Sequence, residues 1–218
     1  MSGPVWERRL DVSTAAQTHA LGAALGAVLE AGDLLVLTGE LGAGKTTFTQ
    51  GLGEGLGVRA GIISPTFVLV RIHPNLPAGP RPGGPDLVHV DAYRLESAAE
   101  IDDIDLENTM DTAVTVVEWG RARVEHLSDS RLEVELHRTR GGAGDTPDAG
   151  PAATVVDAAA PVLDFDTDDD DEPRTVVIRG FGPRWAEPPA LPGIDSSGTG
   201  EPETALPETT PQPPERNA

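Results

Sequence analysis

Residues 39–46 read Gly-Glu-Leu-Gly-Ala-Gly-Lys-Thr and fill every fixed position of the pattern G-x-x-x-x-G-K-[ST]. These residue types at this spacing do one kind of chemistry: they hold phosphate. Glycines let successive backbone N–H groups converge on an anion, and the N-terminus of a following helix favours negative charge. In this reading Gly39, Glu40, Leu41, Gly42, Ala43, Gly44, Lys45 and Thr46 form a nucleotide-binding loop. Lys45 reaches the β- and γ-phosphates, and the Thr46 hydroxyl coordinates Mg²⁺. Lys45 is also the only lysine in the chain, beside fifteen arginines. A compact ammonium is not interchangeable with the planar fork of arginine at phosphate.

Two carboxylates stand where such a site needs them. Asp91 ends the apolar run Leu-Val-His-Val, and Glu118 ends Thr-Ala-Val-Thr-Val-Val. In an open α/β sheet, ligands bind outside the carboxyl ends of the strands. Either acid can hold Mg²⁺ directly or through water, or orient a water for attack. His89 alternates with Val88 and Val90, so its side chain points away from theirs, and the pattern assigns it no catalysis.

The elements that must position these residues follow from periodicity. Residues 5–12 read as a first strand. The stretch 13–32 reads as a helix, with Thr14 and Gln17 as a capping pair and Gly32 as a stop. Residues 33–39 are a short apolar run leading into the glycine loop, as a buried parallel strand would. Residues 45–58 continue as a helix weakened by Gly51, Gly53, Gly55 and Gly57. Strands are expected over 64–73, 87–91, 112–118, 131–138 and 174–181. A Pro/Gly loop follows the first of these, and a short helix opens on the pair Ser97 and Glu100. Strands alternate with helices up to Glu118, and two further strands follow without a helix between them. The expected fold is therefore α/β, a P-loop NTPase with a mostly parallel sheet, flanking helices and an antiparallel edge hairpin.

Charge divides the chain unevenly. The 218 residues hold 16 Lys and Arg against 36 Asp and Glu. Residues 141–173 carry ten acids and no base, ending in Asp-Phe-Asp-Thr-Asp-Asp-Asp-Asp-Glu-Pro. Like charges in such a block predict disorder. Residues 186–218 contain eight prolines and little apolar content, and read as a disordered tail. The expected organisation is an ATPase domain over 1–140, an acidic insertion over 141–173, a final strand over 174–185 and a tail over 186–218. There is no cysteine, which excludes disulfides and thiolate metal sites. No apolar run approaches a membrane span and no secretory h-region is present, so the expectation is a cytoplasmic protein without membrane contact. Neither core nor tails offer a basic footprint for DNA or RNA, so any nucleic acid would be reached through a partner.

Four segments together are specific. Gly-Glu-Leu-Gly-Ala-Gly-Lys-Thr-Thr-Phe, Ser-Pro-Thr-Phe, His-Val-Asp-Ala-Tyr-Arg-Leu and Val-Val-Glu-Trp-Gly occur here in the order and spacing of the TsaE (YjeE) family, which the chain resembles over roughly residues 5–140 and again over 174–185. The resemblance implies an ATPase subunit of the machinery that makes threonylcarbamoyladenosine at position 37 of tRNA, using ATP and Mg²⁺. It implies TsaD-like and TsaB-like partner subunits, with tRNA met only through the complex. It also implies roles for single residues. Lys45, Thr46 and Thr47 match the phosphate and metal residues. Glu118 matches the metal-associated acid, and Asp91 the acid of the His-x-Asp motif. Trp119 matches the aromatic beside the nucleotide. Thr66 lies in a switch-like segment near the γ-phosphate. The proline-rich loop 73–86, the acidic insertion and the tail depart from the family pattern.

Two other functions share the motif. A small-molecule P-loop kinase would need an acceptor pocket and a lid rich in basic residues, and the one long insertion is acidic. A binding module that uses ATP only to set its conformation is not separated from the ATPase by sequence. No motif marks an arginine finger, although Arg94, Arg121 and Arg123 are available.

Overall fold

The computed structural model describes residues 3–95, 97–138 and 172–194. Seven strands form one sheet: β1 (Trp6–Val12), β2 (Leu34–Gly39), β3 (Val70–His73), β4 (Asp86–Asp91), β5 (Ala113–Glu118), β6 (Arg131–Arg138) and β7 (Arg174–Phe181). Their spatial order is β1-β7-β6-β2-β5-β4-β3. β2 pairs in parallel with both β5 and β6, and β5 in parallel with β4. β7 and β3 run the opposite way, so the expected antiparallel hairpin β6–β7 forms one side of the sheet. β1 lies outside β7 and closes that side.

The central strand β2 reads Leu-Leu-Val-Leu because both of its faces are covered. Its alternation divides the core in two. Leu35 and Leu37 point to a cluster under α1 (Ala15–Gly26) and α2 (Lys45–Leu56), built on Leu21, Leu25, Phe48 and Leu52. Leu34 and Val36 point to a second cluster with Val88, Val90, Ile101, Leu106 and Met110, under α3 (Ala98–Asp102) and α4 (Glu107–Met110). Helices thus cover both faces. Among the described residues, no helix is long and apolar enough to cross a membrane.

The glycines of α2 have a reason that helix propensity hides. A Cβ on Gly51 would lie 2.0 Å from the His19 carbonyl oxygen, and one on Gly55 would lie 2.1 Å from that of Ala23. From the other side, a Cβ on Gly22 would meet the Phe48 oxygen at 2.2 Å and one on Gly26 the Leu52 oxygen at 2.2 Å. Four glycines let α1 and α2 touch backbone to backbone, which holds the start of α2 firmly beside the sheet.

Several boundaries differ from the sequence reading. α1 begins as expected, with Thr14 accepting from the Gln17 N–H, but stops at Gly26. The strand expected from residue 64 begins only at Val70. The Pro65 carbonyl instead accepts from the N–H groups of Val68 and Leu69, and Leu69 turns at φ 66°. The helix opened by Ser97 and Glu100 breaks in two at Asp105, which has φ 55°. The ordered packing runs past residue 185. Trp185 and Leu191 are buried in the core and Ile194 packs against it. The chain around 186–194 is therefore part of the packed body. The acidic insertion, apart from Glu172 and Pro173, and the tail beyond residue 194 lie outside the described residues.

Candidate active site

The glycine loop joins β2 to α2 as the motif requires. Gly44 is the N-cap of α2 at φ 94°, and Gly42 turns at φ 73°. Both are left-handed positions that glycine takes without a Cβ penalty. The Lys45 side chain is buried to 7% exposure, and its Nζ donates to the carbonyls of Gly39 at 2.9 Å and Glu40 at 3.0 Å. Nζ also lies 4.5 Å from the centre of the Trp119 ring. Burial lowers the lysine pKa from its ordinary value, opposed by the negative charges of Glu118 and Asp91. Thr46 and Thr47 follow on the first turn of α2, half-buried.

The acids arrive from the neighbouring strands. In the β4–β5 register Asp91 stands opposite Glu118, and in the β2–β5 register Leu37 stands opposite Glu118. The pleat turns Leu87, His89 and Asp91 toward the α2 face, while Val88 and Val90 turn to the other. Asp91 is 3% exposed and fully engaged. Its Oδ2 accepts from Thr66 Oγ1 at 2.7 Å and its Oδ1 from the Tyr93 N–H at 2.9 Å. Thr66 in turn shares a 2.7 Å hydrogen bond with Ser64. Glu118 is 3% exposed, and its Oε1 accepts from His89 Nε2 at 2.8 Å.

Trp119 adopts φ 60°, an outlier for a bulky residue, with its N–H held by the Leu37 carbonyl at 3.0 Å. That turn carries the ring from the strand end toward Lys45. Tyr93 meets the Trp119 ring edge-on at 5.6 Å.

The structure thus draws together Lys45, Asp91, Glu118, Trp119 and Thr66, from four separate stretches of chain. Two neighbours were not anticipated. His89 was passed over, although its position two residues before Asp91 already placed both on one face. Arg174 carries no sequence signal at all. It opens β7, is 3% exposed, and approaches Gly44. The three arginines weighed from sequence are engaged elsewhere. Arg121 is paired to Glu135, Arg123 donates to the Ala92 carbonyl at 2.6 Å, and Arg94 lies over the Phe67 ring at 5.3 Å.

Strand, glycine loop and helix, with the buried lysine facing two carboxylates at the ends of parallel strands, define a P-loop nucleotide-binding protein. The family model described as Threonylcarbamoyl adenosine biosynthesis protein TsaE matches residues 12–143, and the chain belongs to the TsaE family. It is similar to the tRNA threonylcarbamoyladenosine biosynthesis protein TsaE of Streptomyces coelicolor, 46% identical over 167 residues that cover 76% of this chain and 92% of that protein. The protein of the same name from Bacillus subtilis is 37% identical over 123 residues, covering 56% of this chain and 72% of its own. The crystal structure of Bacillus subtilis YdiB superposes with a TM-score of 0.52 at 26% identity, covering 82% of this chain and 88% of that one.

Proposed function

We propose that this chain binds and hydrolyses ATP as an accessory subunit of tRNA threonylcarbamoyladenosine biosynthesis, permitting repeated turnover by a TsaD–TsaB threonylcarbamoyltransferase. The observation that carries this reading is the Lys45 ammonium, buried between the glycine loop and the paired acids Asp91 and Glu118. Similarity to the named TsaE proteins supplies the pathway.

In this reading the loop N–H groups and Lys45 hold the phosphates, and Lys45 offsets charge on the β- and γ-phosphoryl oxygens. The residues fit Mg²⁺. A hydroxyl at Thr46 and carboxylates at Glu118 and Asp91 are the hard oxygen donors it prefers. Thr46 and Glu118 would hold it, and when bound it supplies charge neutralisation across the β- and γ-phosphates. Asp91 orients the attacking water. Its two oxygens are already committed to Thr66 and Tyr93, so its direction depends on the segment that carries Thr66.

That dependence gives a partner a handle. Beside Thr66, Phe67 is 85% exposed, and Val68 and Ile63 are also exposed. Apolar side chains in the open suit a protein partner, and contact there would reach Asp91 through a single hydrogen bond. With Arg94, Arg121 and Arg123 occupied elsewhere, stabilisation of the transition-state charge falls to the partner. The expected behaviour is slow hydrolysis alone and altered turnover in the complex.

Phosphate release by the purified chain, with and without TsaD and TsaB, tests this. Turnover alone at about 1–100 s⁻¹, the kinase range, and no response to the partners would refute it. Transfer of the γ-phosphate to a small acceptor would favour a kinase. Tight ATP binding without turnover in any mixture would favour a conformational module.

A further inference from the structure

Arg174 is buried without a counter-charge. Its Nη1 donates to the Glu172 carbonyl at 3.2 Å, while its Nε has no hydrogen-bond partner. Among the described residues no carboxylate pairs with it, in contrast to Arg121, Arg131, Arg179 and Arg184, each of which sits against an acid. A guanidinium withdrawn from water and left unpaired costs folding free energy unless something compensates it.

Its position suggests what does. In the β6–β7 register Arg174 stands opposite Arg138, and two residues back along β6 Leu136 stands opposite Gly39, where the glycine loop leaves β2. A Cβ built on Gly44 would lie 3.5 Å from Arg174 Nε, 3.7 Å from its Cδ and 3.6 Å from Thr18 Cγ2. The guanidinium therefore borders the loop itself. It does so from the β6–β7 side of β2, whereas Asp91 and Glu118 come from β4 and β5 on the other side. The loop has a cation on one flank and two carboxylates on the opposite flank.

Resting on the nucleotide reading above, we propose that Arg174 is a further nucleotide-binding residue. It supplies a second positive charge to the phosphate chain, at the end remote from the carboxylates. The carboxylates take the metal and γ-phosphate end, so Arg174 takes the α-phosphate end. Its open Nε–H is the donor left for that oxygen. The buried charge is then satisfied only when nucleotide is bound.

The proposal separates binding from stability with opposite signs. The experiment measures ATP and ADP affinity by calorimetry, and melting temperature without nucleotide, for the full chain and for Arg174→Gln, Arg174→Lys and Lys45→Ala. Arg174→Gln is expected to weaken ATP and ADP alike, by roughly tenfold or more, as for loss of a charge-assisted contact. Its melting temperature without nucleotide is expected to be unchanged or higher, because an unpaired buried charge has gone. Arg174→Lys is expected to recover part of the affinity.

Three results would overturn it. One is unchanged affinity with a lowered melting temperature, as a purely structural arginine gives. Another is a loss confined to ATP, which would move the contact to the γ end. The third is wild-type affinity in Arg174→Gln while Lys45→Ala loses binding, which would leave the nucleotide reading standing. Failure of the wild-type chain to bind either nucleotide would instead remove that reading, and this one with it.

Discussion

His89 holds Glu118. The imidazole is fully out of solvent, its Nε2 lies 2.8 Å from Glu118 Oε1, and its Nδ1 has no partner. With the carboxylate ionised, Nε2–H is the donor, so one oxygen of Glu118 is fixed. His89→Leu removes the donor and leaves a buried carboxylate unpaired, which costs about 1–3 kcal/mol or more. It is expected to lower the melting temperature and to raise the Mg²⁺ concentration needed for tight nucleotide binding. His89→Gln keeps an amide donor and should restore much of the Mg²⁺ response. If both variants respond to Mg²⁺ like the parent, His89 only fills space.

Lys45 has no substitute in this chain. Lys45→Ala is expected to weaken ATP binding by about a hundredfold, equivalent to two or so charge-assisted hydrogen bonds. Lys45→Arg should not rescue it, because the site is buried and the planar fork cannot replace a compact ammonium. Thr46→Ala should bind ATP with little gain from Mg²⁺. Calorimetric titration with and without the metal reads all three, and undiminished affinity in Lys45→Ala would contradict the assignment.

Gly51→Ala sets two effects against each other. Helix propensity favours alanine by about 1 kcal/mol. A Cβ at 2.0 Å from the His19 carbonyl oxygen would push α1 and α2 apart, and overpacking costs about 1–3 kcal/mol or more. Overpacking is expected to win, because the obstacle is backbone and cannot rotate away. Chemical denaturation should show a destabilised variant. A stabilised one would mean that the two helices separate freely.

Acid should weaken the β1–β7–β6 side first. The Arg121 guanidinium beside Glu135, at 2.9 Å, and Arg179, at 2.8 Å, hold its carboxyl at about 2 against the opposing effect of burial. A carboxyl depressed in the folded state adds stability above its ordinary value of 4.5 and loses it as pH falls toward 2. Linkage sets an upper limit of about 3 kcal/mol, reduced because Arg121 is 41% exposed and screened by water. Urea unfolding between pH 6 and pH 2.5 should show a shallower acid limb for Glu135→Gln than for the parent.

The parts legible in the sequence were those with local causes. The phosphate loop is contiguous, its glycines are demanded by its own backbone, and the apolar run before it can only be a strand buried on both faces. Asp91 and Glu118 were legible because each ends such a run, and strand ends are where α/β sheets place ligands. What adjoins them was decided by register. Asp91 meets Glu118 only because β4 and β5 pair with those residues level. His89 reaches Glu118 only because the same pairing sets them diagonally on one face. The meaning of the α2 glycines was likewise hidden. Propensity describes a helix alone, while their necessity comes from a second helix lying against it. Arg174 was beyond sequence reasoning altogether. It is separated from Gly44 by more than half the chain, and nothing local distinguishes it from fourteen other arginines. Only the strand order β7-β6-β2, which brings the end of the chain's fold beside its first loop, makes it a neighbour of the phosphate site.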